Sequence, residues 1–174
     1  MLVYFAMRVL ISAEEIRDRV GVLAQEIHRD HPDGVHLICV LKGGFMFLSD
    51  LARHLPATTT LDFMAVSSYG PSTRSSGQVQ VLKDLDSPVE GRDVIIVEDI
   101  VDTGLTLQYL QDIIRARSPR RLRTACLLSK PMRRTIDLHI EYVGFTIEDK
   151  FVVGYGLDYA EQYRTLPHIA VIGD

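Results

Sequence analysis

The chain is expected to fold as an α/β protein, a twisted, mainly parallel sheet flanked by helices. Short strand-like runs recur at 36–41, 94–97 and 122–128, and 94–97 has no polar alternation, the pattern of a strand covered on both faces. Segments of helical periodicity separate these runs, giving the strand, crossover, strand order of a parallel sheet. The run 94–97 leads directly into Glu98 and Asp99, then into Asp102-Thr103-Gly104-Leu105-Thr106. Open α/β sheets bind ligands at such strand ends.

The elements follow in order. Residues 1–11 are apolar but broken by Arg8. They are too short to span a bilayer and lack the basic start and small-residue cleavage site of a secretory signal, so they read as a first strand or covering segment, with Met7 an alternative start. Ser12 and Glu15 form a capping-box pattern, and Ile16, Val20, Leu23 and Ile27 recur at helical spacing, predicting a helix over 13–29. Asp33-Gly34 ends that unit. After the strand 36–41, Gly43-Gly44 marks a turn, and Phe45, Leu48, Leu51, Ala52 and Leu55 predict a second helix stopped by Pro56. Residues 60–66 form the next strand. The stretch 67–80 holds Tyr69, Gly70, Pro71 and Gly77 with almost no aliphatic side chains, and reads as a long polar loop, either inert or a lid. The strand 94–97 and a helix near 106–117 repeat the unit. A strand at 122–128 precedes Lys130-Pro131, and 169–172 supplies a last strand.

At 174 residues, 47% hydrophobic and 24% charged, the whole chain 1–174 is expected to form one domain. A formal charge of −4 and a pI near 5.8 give no global argument for nucleic acid. Arg115, Arg117, Arg120, Arg121 and Arg123 make a local basic run, read as a solvated helix end. Cys39 and Cys126 lie in apolar strand-like segments without CxxC spacing, which favours buried free thiols in a reducing cytosol, although spacing alone leaves pairing open. The histidines show no metal-ligand spacing. Gly154-Tyr155-Gly156 begins like a dinucleotide fingerprint but lacks its third glycine and the helix that should follow.

The turn at 102–106 combines a glycine that permits a tight backbone path, two hydroxyls, and backbone N–H groups leading into a helix N-terminus, which suits a phosphate. Glu98, Asp99 and Asp102 would repel that anion unless they face ribose hydroxyls, a divalent metal or a proton to be removed. Adjacent strand residues point to opposite faces, so Glu98 and Asp99 suit reaching around one sugar better than chelating one ion side by side. Lys42 followed by Gly43-Gly44 suggests close backbone approach to a ligand. On their own, Phe151 beside Val152 and Val153 reads as core, and Asp158 and Arg164 read equally well as surface charges.

The stretch 94–107 resembles the phosphoribosyl-pyrophosphate (PRPP) signature of type I phosphoribosyltransferases. Leu41-Lys42-Gly43-Gly44, Ser68-Tyr69, Ser129-Lys130-Pro131 and 148–158 are similar to segments of the hypoxanthine-guanine branch of that family. The resemblance thus covers nearly the whole chain. It implies a core over roughly 12–130 and a small hood, with the purine-binding segment, from roughly 1–11 and 131–174. It also implies Mg²⁺-dependent purine salvage: transfer of the 5-phosphoribosyl group from PRPP to hypoxanthine or guanine, giving IMP or GMP and pyrophosphate. Glu98 and Asp99 would hold the ribose hydroxyls, Thr103, Gly104, Leu105 and Thr106 the 5′-phosphate, and Lys42, Gly43 and Arg164 the pyrophosphate. The loop at Lys42 often carries a non-proline cis peptide in this family. Asp102 would take the purine N7 proton, Lys130 donate to the 6-oxo group, Phe151 stack on the ring and the Val152 backbone read the base edge. Asp158, beside the base site, would join Glu98 and Asp99 in the metal shell, and Ser68-Tyr69 would belong to a lid. Cytoplasmic location, a homodimer or homotetramer, and no nucleic-acid or membrane partner also follow from the resemblance. Leu105 stands where certain animal members carry lysine, so the backbone alone must serve the phosphate there, and the chain stops at Asp174 without their longer basic tail.

Two other classes share parts of this pattern. RNA-binding attenuators of pyrimidine operons have the same fold and PRPP signature, but the acidic pI and the Lys130/Phe151 pair argue against one here. Phospho-receiver domains draw their acids from two separate strands, whereas Glu98, Asp99 and Asp102 come from one strand and its turn.

Overall fold

The computed structural model describes residues 6–68 and 79–173. Two sheets carry the chain. The larger has six strands in the order β4-β3-β2-β5-β6-β7: β2 (His36–Leu41), β3 (Thr60–Ser68), β4 (Val79–Lys83), β5 (Asp93–Val101), β6 (Arg121–Ser129) and β7 (Tyr142–Thr146). All neighbours are parallel except β4, which runs antiparallel to β3. A three-stranded antiparallel hood joins β1 (Met7–Ile11), β9 (Ile169–Ile172) and β8 (Val152–Val153).

Val94, Ile95, Ile96 and Val97 are all but fully buried, as expected of a central strand without polar alternation. Ile95 and Val97 pack with Leu37 and Cys39 under α1 (Ala13–Asp30) and α2 (Phe45–Ala52). Val94 and Ile96 pack with Ile38 and Val40 under α3 (Leu105–Arg115). The helices therefore cover both faces.

Helix α1 begins as its sequence predicts. The Glu15 backbone N–H donates to Ser12 Oγ at 3.1 Å, and Glu15 Oε2 accepts from the Ser12 N–H at 2.7 Å. Ile16, Val20, Leu23 and Ile27 form its buried stripe. At its far end, Asp30 accepts from the Tyr142 hydroxyl and from Arg123, both at 2.7 Å, tying α1 to β6 and β7.

Several expectations are corrected. β5 does not end at Val97: it runs on to Val101 because β6 stays beside it, so Glu98 and Asp99 lie within the strand. What ends at Val97 is the pairing with β2, since that chain turns away after Leu41. Helix α2 stops at Ala52, short of Pro56, and Phe45 is exposed. The polar stretch 67–80 is partly a ribbon, with Ser67 opposite Gln80 and Ser68 opposite Val79. Tyr69 and 70–78 lie outside the described residues. Segment 131–174, expected to serve the hood, also gives β7 to the main sheet. The basic run is not simply a solvated helix end: Arg117 pairs with Asp84, Arg120 with Asp93 and Arg123 with Asp30, all on structural contacts.

Cys39 and Cys126 are free and buried, and burial pushes both thiols up to about 12. Among the described residues no helix is long and apolar enough to cross a membrane.

Asp62 on β3 is buried and holds the 84–87 segment. Its carboxylate accepts backbone N–H bonds from Phe63 at 2.8 Å, Asp86 at 3.0 Å and Ser87 at 3.0 Å. Desolvation opposes the charge, but these bonds outweigh it and hold the carboxyl below its ordinary value of 3.8. A depressed folded-state value stabilises the protein at pH above the unfolded-state value, and that contribution is lost as pH falls through the folded-state value. Asp62→Asn should therefore cost about 1–3 kcal/mol in urea denaturation at pH 7. The difference from wild type should shrink below about pH 4. A gap that is constant down to acid pH would show that packing, not charge, holds this segment.

Candidate active site

The chemical groups gather at the C-terminal ends of β2, β5 and β6 and are faced by the hood. From Glu98 onward β5 has lost β2 on one side, and the turn Leu41-Lys42-Gly43-Gly44 fills the space. The Leu41–Lys42 peptide is cis. Gly43 lies against Asp99, and a Cβ at position 43 would overlap that carboxylate. A Cβ on Gly156, from the hood loop, would likewise overlap the Gly43 carbonyl oxygen. These two glycines let strand end, turn and hood loop close on one another.

Glu98 and Asp99 point to opposite faces, as strand alternation requires. Glu98 is buried and lines a cavity of about 90 Å³ with Asp102, Thr103, Gly104, Thr106 and Leu107. Burial, reinforced by neighbouring Asp99, pushes its carboxyl well above the usual range. Asp99 faces Gly43 and the hood. Burial pushes it up to about 6, against the pull of the Ile100 N–H, which donates to it at 2.7 Å, and of nearby Arg164. Burial of two adjacent carboxyls costs stability, and carboxyls so perturbed beside a cavity make this strand a functional-site candidate.

The turn after β5 has the form of an anion cradle. Gly104 takes φ +91°, in the left-handed region, and caps α3. The Thr103 carbonyl accepts from the Thr135 N–H at 3.1 Å, and Arg134 donates to the Asp102 carbonyl and to Ser129 Oγ, each at 2.9 Å. Arg134 thus staples the turn to the end of β6. Leu105 opens α3 and Thr106 is exposed beside it.

Lys130 follows β6 and is buried, its backbone N–H donating to Val101 at 3.0 Å. A chain of charges joins it to Asp102: Lys130 Nζ lies 3.7 Å from Asp149, Asp149 lies 3.5 Å from Arg133, and Arg133 Nε donates to Asp102 Oδ1 at 3.2 Å. Asp149, Arg133 and Arg134 are missing from the sequence-based set. The only trace in sequence is the arginine pair closely following Lys130-Pro131.

In the hood segment, Phe151 is 54% exposed, which rules out the core reading. It meets Tyr159 edge-on at 5.8 Å between ring centres. Val152 is buried in β8. Arg164 donates to the Gly156 carbonyl at 2.7 Å and lies 3.3 Å from Asp158. Lys42 Nζ and Arg164 Nη2 both reach Glu161, at 2.8 and 3.0 Å.

For a divalent ion the donor chemistry fits in part. Asp158 is close enough to Asp99 to raise the cost of ionising Asp99, and both offer hard oxygens. Glu98 diverges from Asp99, and no group of three or more His, Cys, Asp or Glu among the described residues could form a cage. Mg²⁺ needs none, since it keeps several waters and takes one or two carboxylates plus substrate phosphates. Ser68 lies at the end of β3, and Tyr69 is outside the described residues. A concavity of about 640 Å³ lies elsewhere, against α2 and β3, and is mainly apolar.

A phosphoribosyl transferase domain model matches residues 12–160, a span that includes every expected site residue except Arg164. The chain is 51% identical over 166 residues to the hypoxanthine-guanine phosphoribosyltransferase of Bacillus subtilis, covering 95% of this chain and 92% of that one. Against the hypoxanthine-guanine phosphoribosyltransferase of Mycobacterium tuberculosis it is 50% identical over 171 residues, covering 94% and 85%. The crystal structure of a hypoxanthine-guanine phosphoribosyltransferase from Bacillus anthracis superposes with a TM-score of 0.91 at 48% identity, covering 95% of this chain and 98% of that one. Identity at about half of all positions, over nearly full length and with the same backbone, settles descent: the chain belongs to the phosphoribosyltransferase family, in its hypoxanthine-guanine branch.

Proposed function

We propose that this protein transfers the 5-phosphoribosyl group of PRPP to a 6-oxopurine, hypoxanthine or guanine, releasing IMP or GMP and pyrophosphate. The observation that carries the substrate assignment is Lys130, a buried ammonium joined through Asp149 and Arg133 to Asp102 at the mouth of the phosphate turn. One group donates to the base and the other accepts from it. A Mg²⁺ ion held by Asp158 and Asp99 would neutralise the departing pyrophosphate.

The roles of the chain's own residues follow from position. The 103–106 turn and the α3 N-terminus receive the 5′-phosphate, with Leu105 contributing backbone only. Glu98 and Asp99, on opposite faces of β5, address the ribose hydroxyls, and their charge stabilises the oxocarbenium-like centre as the leaving group departs. Lys42, the Gly43 backbone and Arg164 receive pyrophosphate. Asp102 accepts the N7 proton. Lys130 stabilises the negative charge that spreads to O6 as that proton leaves. Phe151 stacks on the purine beside the Val152 backbone. The segment beginning at Ser68-Tyr69 closes over the centre, since water would otherwise hydrolyse PRPP. A cytoplasmic homodimer or homotetramer completes the proposal, and the paired arginines after α3 support the absence of a nucleic-acid partner.

A spectrophotometric assay of each purine with PRPP and Mg²⁺ tests the reaction and the substrate together. Hypoxanthine and guanine should turn over, chelator should abolish the activity and added Mg²⁺ restore it. Adenine should be rejected strongly, because an ammonium has only donors to offer its 6-amino group. Comparable turnover of adenine would remove Lys130 from the base site.

Asp102→Asn keeps the size of the side chain and loses the proton-accepting charge. It should lower kcat by roughly 10²–10⁴. PRPP affinity should change much less, since the 103–106 backbone remains. Near-normal kcat with collapsed PRPP binding would instead make Asp102 a residue of the phosphate turn alone.

A further inference from the structure

Glu161 stands between two cations contributed by different parts of the fold. Its Oε2 lies 2.8 Å from Lys42 Nζ, on the turn after β2, and its Oε1 lies 3.0 Å from Arg164 Nη2, in the hood segment. The Glu161 backbone N–H donates to Asp158 Oδ2 at 2.9 Å, which sets the start of the residue's reach. Ala160 and Glu161 take φ +50° and +65° to present the side chain this way. Such values are uncommon for residues with a Cβ and carry a local cost.

The contacts are poor candidates for a purely stabilising role. Lys42 and Glu161 side chains are 67% and 63% exposed, and exposed ion pairs contribute little to stability. The geometry instead has the form of ligand recognition. Two oxygens of one anion each meet a different cation, as two oxygens of a phosphate group would. Hydrogen bonds from Lys42 first, then Arg164, hold the Glu161 carboxyl below its usual range, so the group is an anion at neutral pH.

We propose that Glu161 is an internal anion that engages the two cations of the pyrophosphate position, and that the pyrophosphoryl group of PRPP must displace it. The proposal rests on the assignment of Lys42 and Arg164 to pyrophosphate. Glu161 thereby keeps both cations oriented and the turn after β2 docked to the hood while no substrate is bound. It also competes with the ligand, weakening PRPP and pyrophosphate binding, and it re-forms its pairs as pyrophosphate leaves. The residue is a positioning residue for the leaving group and takes no part in bond making.

The test is titration calorimetry of inorganic pyrophosphate, with Mg²⁺, into wild type, Glu161→Gln and Glu161→Ala. Both variants should bind pyrophosphate roughly three- to ten-fold tighter, the release of one or two exposed ion pairs. The KM for PRPP should fall in parallel while the KM for hypoxanthine stays constant, a split that general loosening of the fold would not produce. Unchanged or weaker pyrophosphate binding in either variant overturns the proposal. So does a crystal structure of the wild-type protein with pyrophosphate and Mg²⁺ in which Glu161 still holds both Lys42 and Arg164. Wild type that binds pyrophosphate but fails to turn over PRPP and hypoxanthine would remove the proposed reaction and leave the Glu161 comparison standing. Normal turnover without a gain in the variants would remove only the role of Glu161.

Discussion

Much of this structure depends on keeping two carboxyls ionisable at the edge of a dry sheet. Val94–Val97 are buried on both faces, and the next two residues are Glu98 and Asp99. Burial alone would neutralise them, and it does push both upward. The fold answers with geometry. β2 leaves at Leu41 while β6 continues, opening one flank of β5 at the point where the acids emerge. Asp99 then faces a glycine turn and Arg164, and Glu98 faces the cavity of the phosphate turn.

The hood has to approach this edge closely. Gly43 against Asp99 and Gly156 against the Gly43 carbonyl make a stack in which no side chain could be inserted. That stack brings Asp158, Arg164 and Glu161 over the strand ends, although they lie far along the chain from Lys42. On the other side of the site, Arg134 and Arg133 tie the phosphate turn and Asp102 to the segment after Lys130. Lys42, Arg133, Arg134 and Arg164 are thus all held in place by carboxylates and carbonyls of the chain itself.

Sequence order made some of this legible. The unbroken apolar run before Glu98, the capping box of Ser12 and Glu15, and the glycines around Lys42 and Asp102 are local signals, and each produced the expected element. Strand and helix ends were less legible. β5 outlasted its apolar run because its neighbour β6 continued to offer hydrogen bonds, and β4 and β7 were absent from the reading because edge strands carry weaker patterns.

By itself the sequence determined the alternating α/β order and the succession of apolar run, acids and glycine turn around β5, and the resemblance alone offered Lys130 and Phe151 for the base. These depend on spacing along a few neighbouring residues, which periodicity and turn chemistry make readable. Tertiary structure alone decided that Phe151 lies outside the core, that β5 runs on past the two acids, and that Arg133, Asp149 and Glu161 gather with the other candidate groups. Long-range ion pairs and side-chain exposure arise only when distant segments are packed together, and no local pattern of residues encodes which charge will meet which.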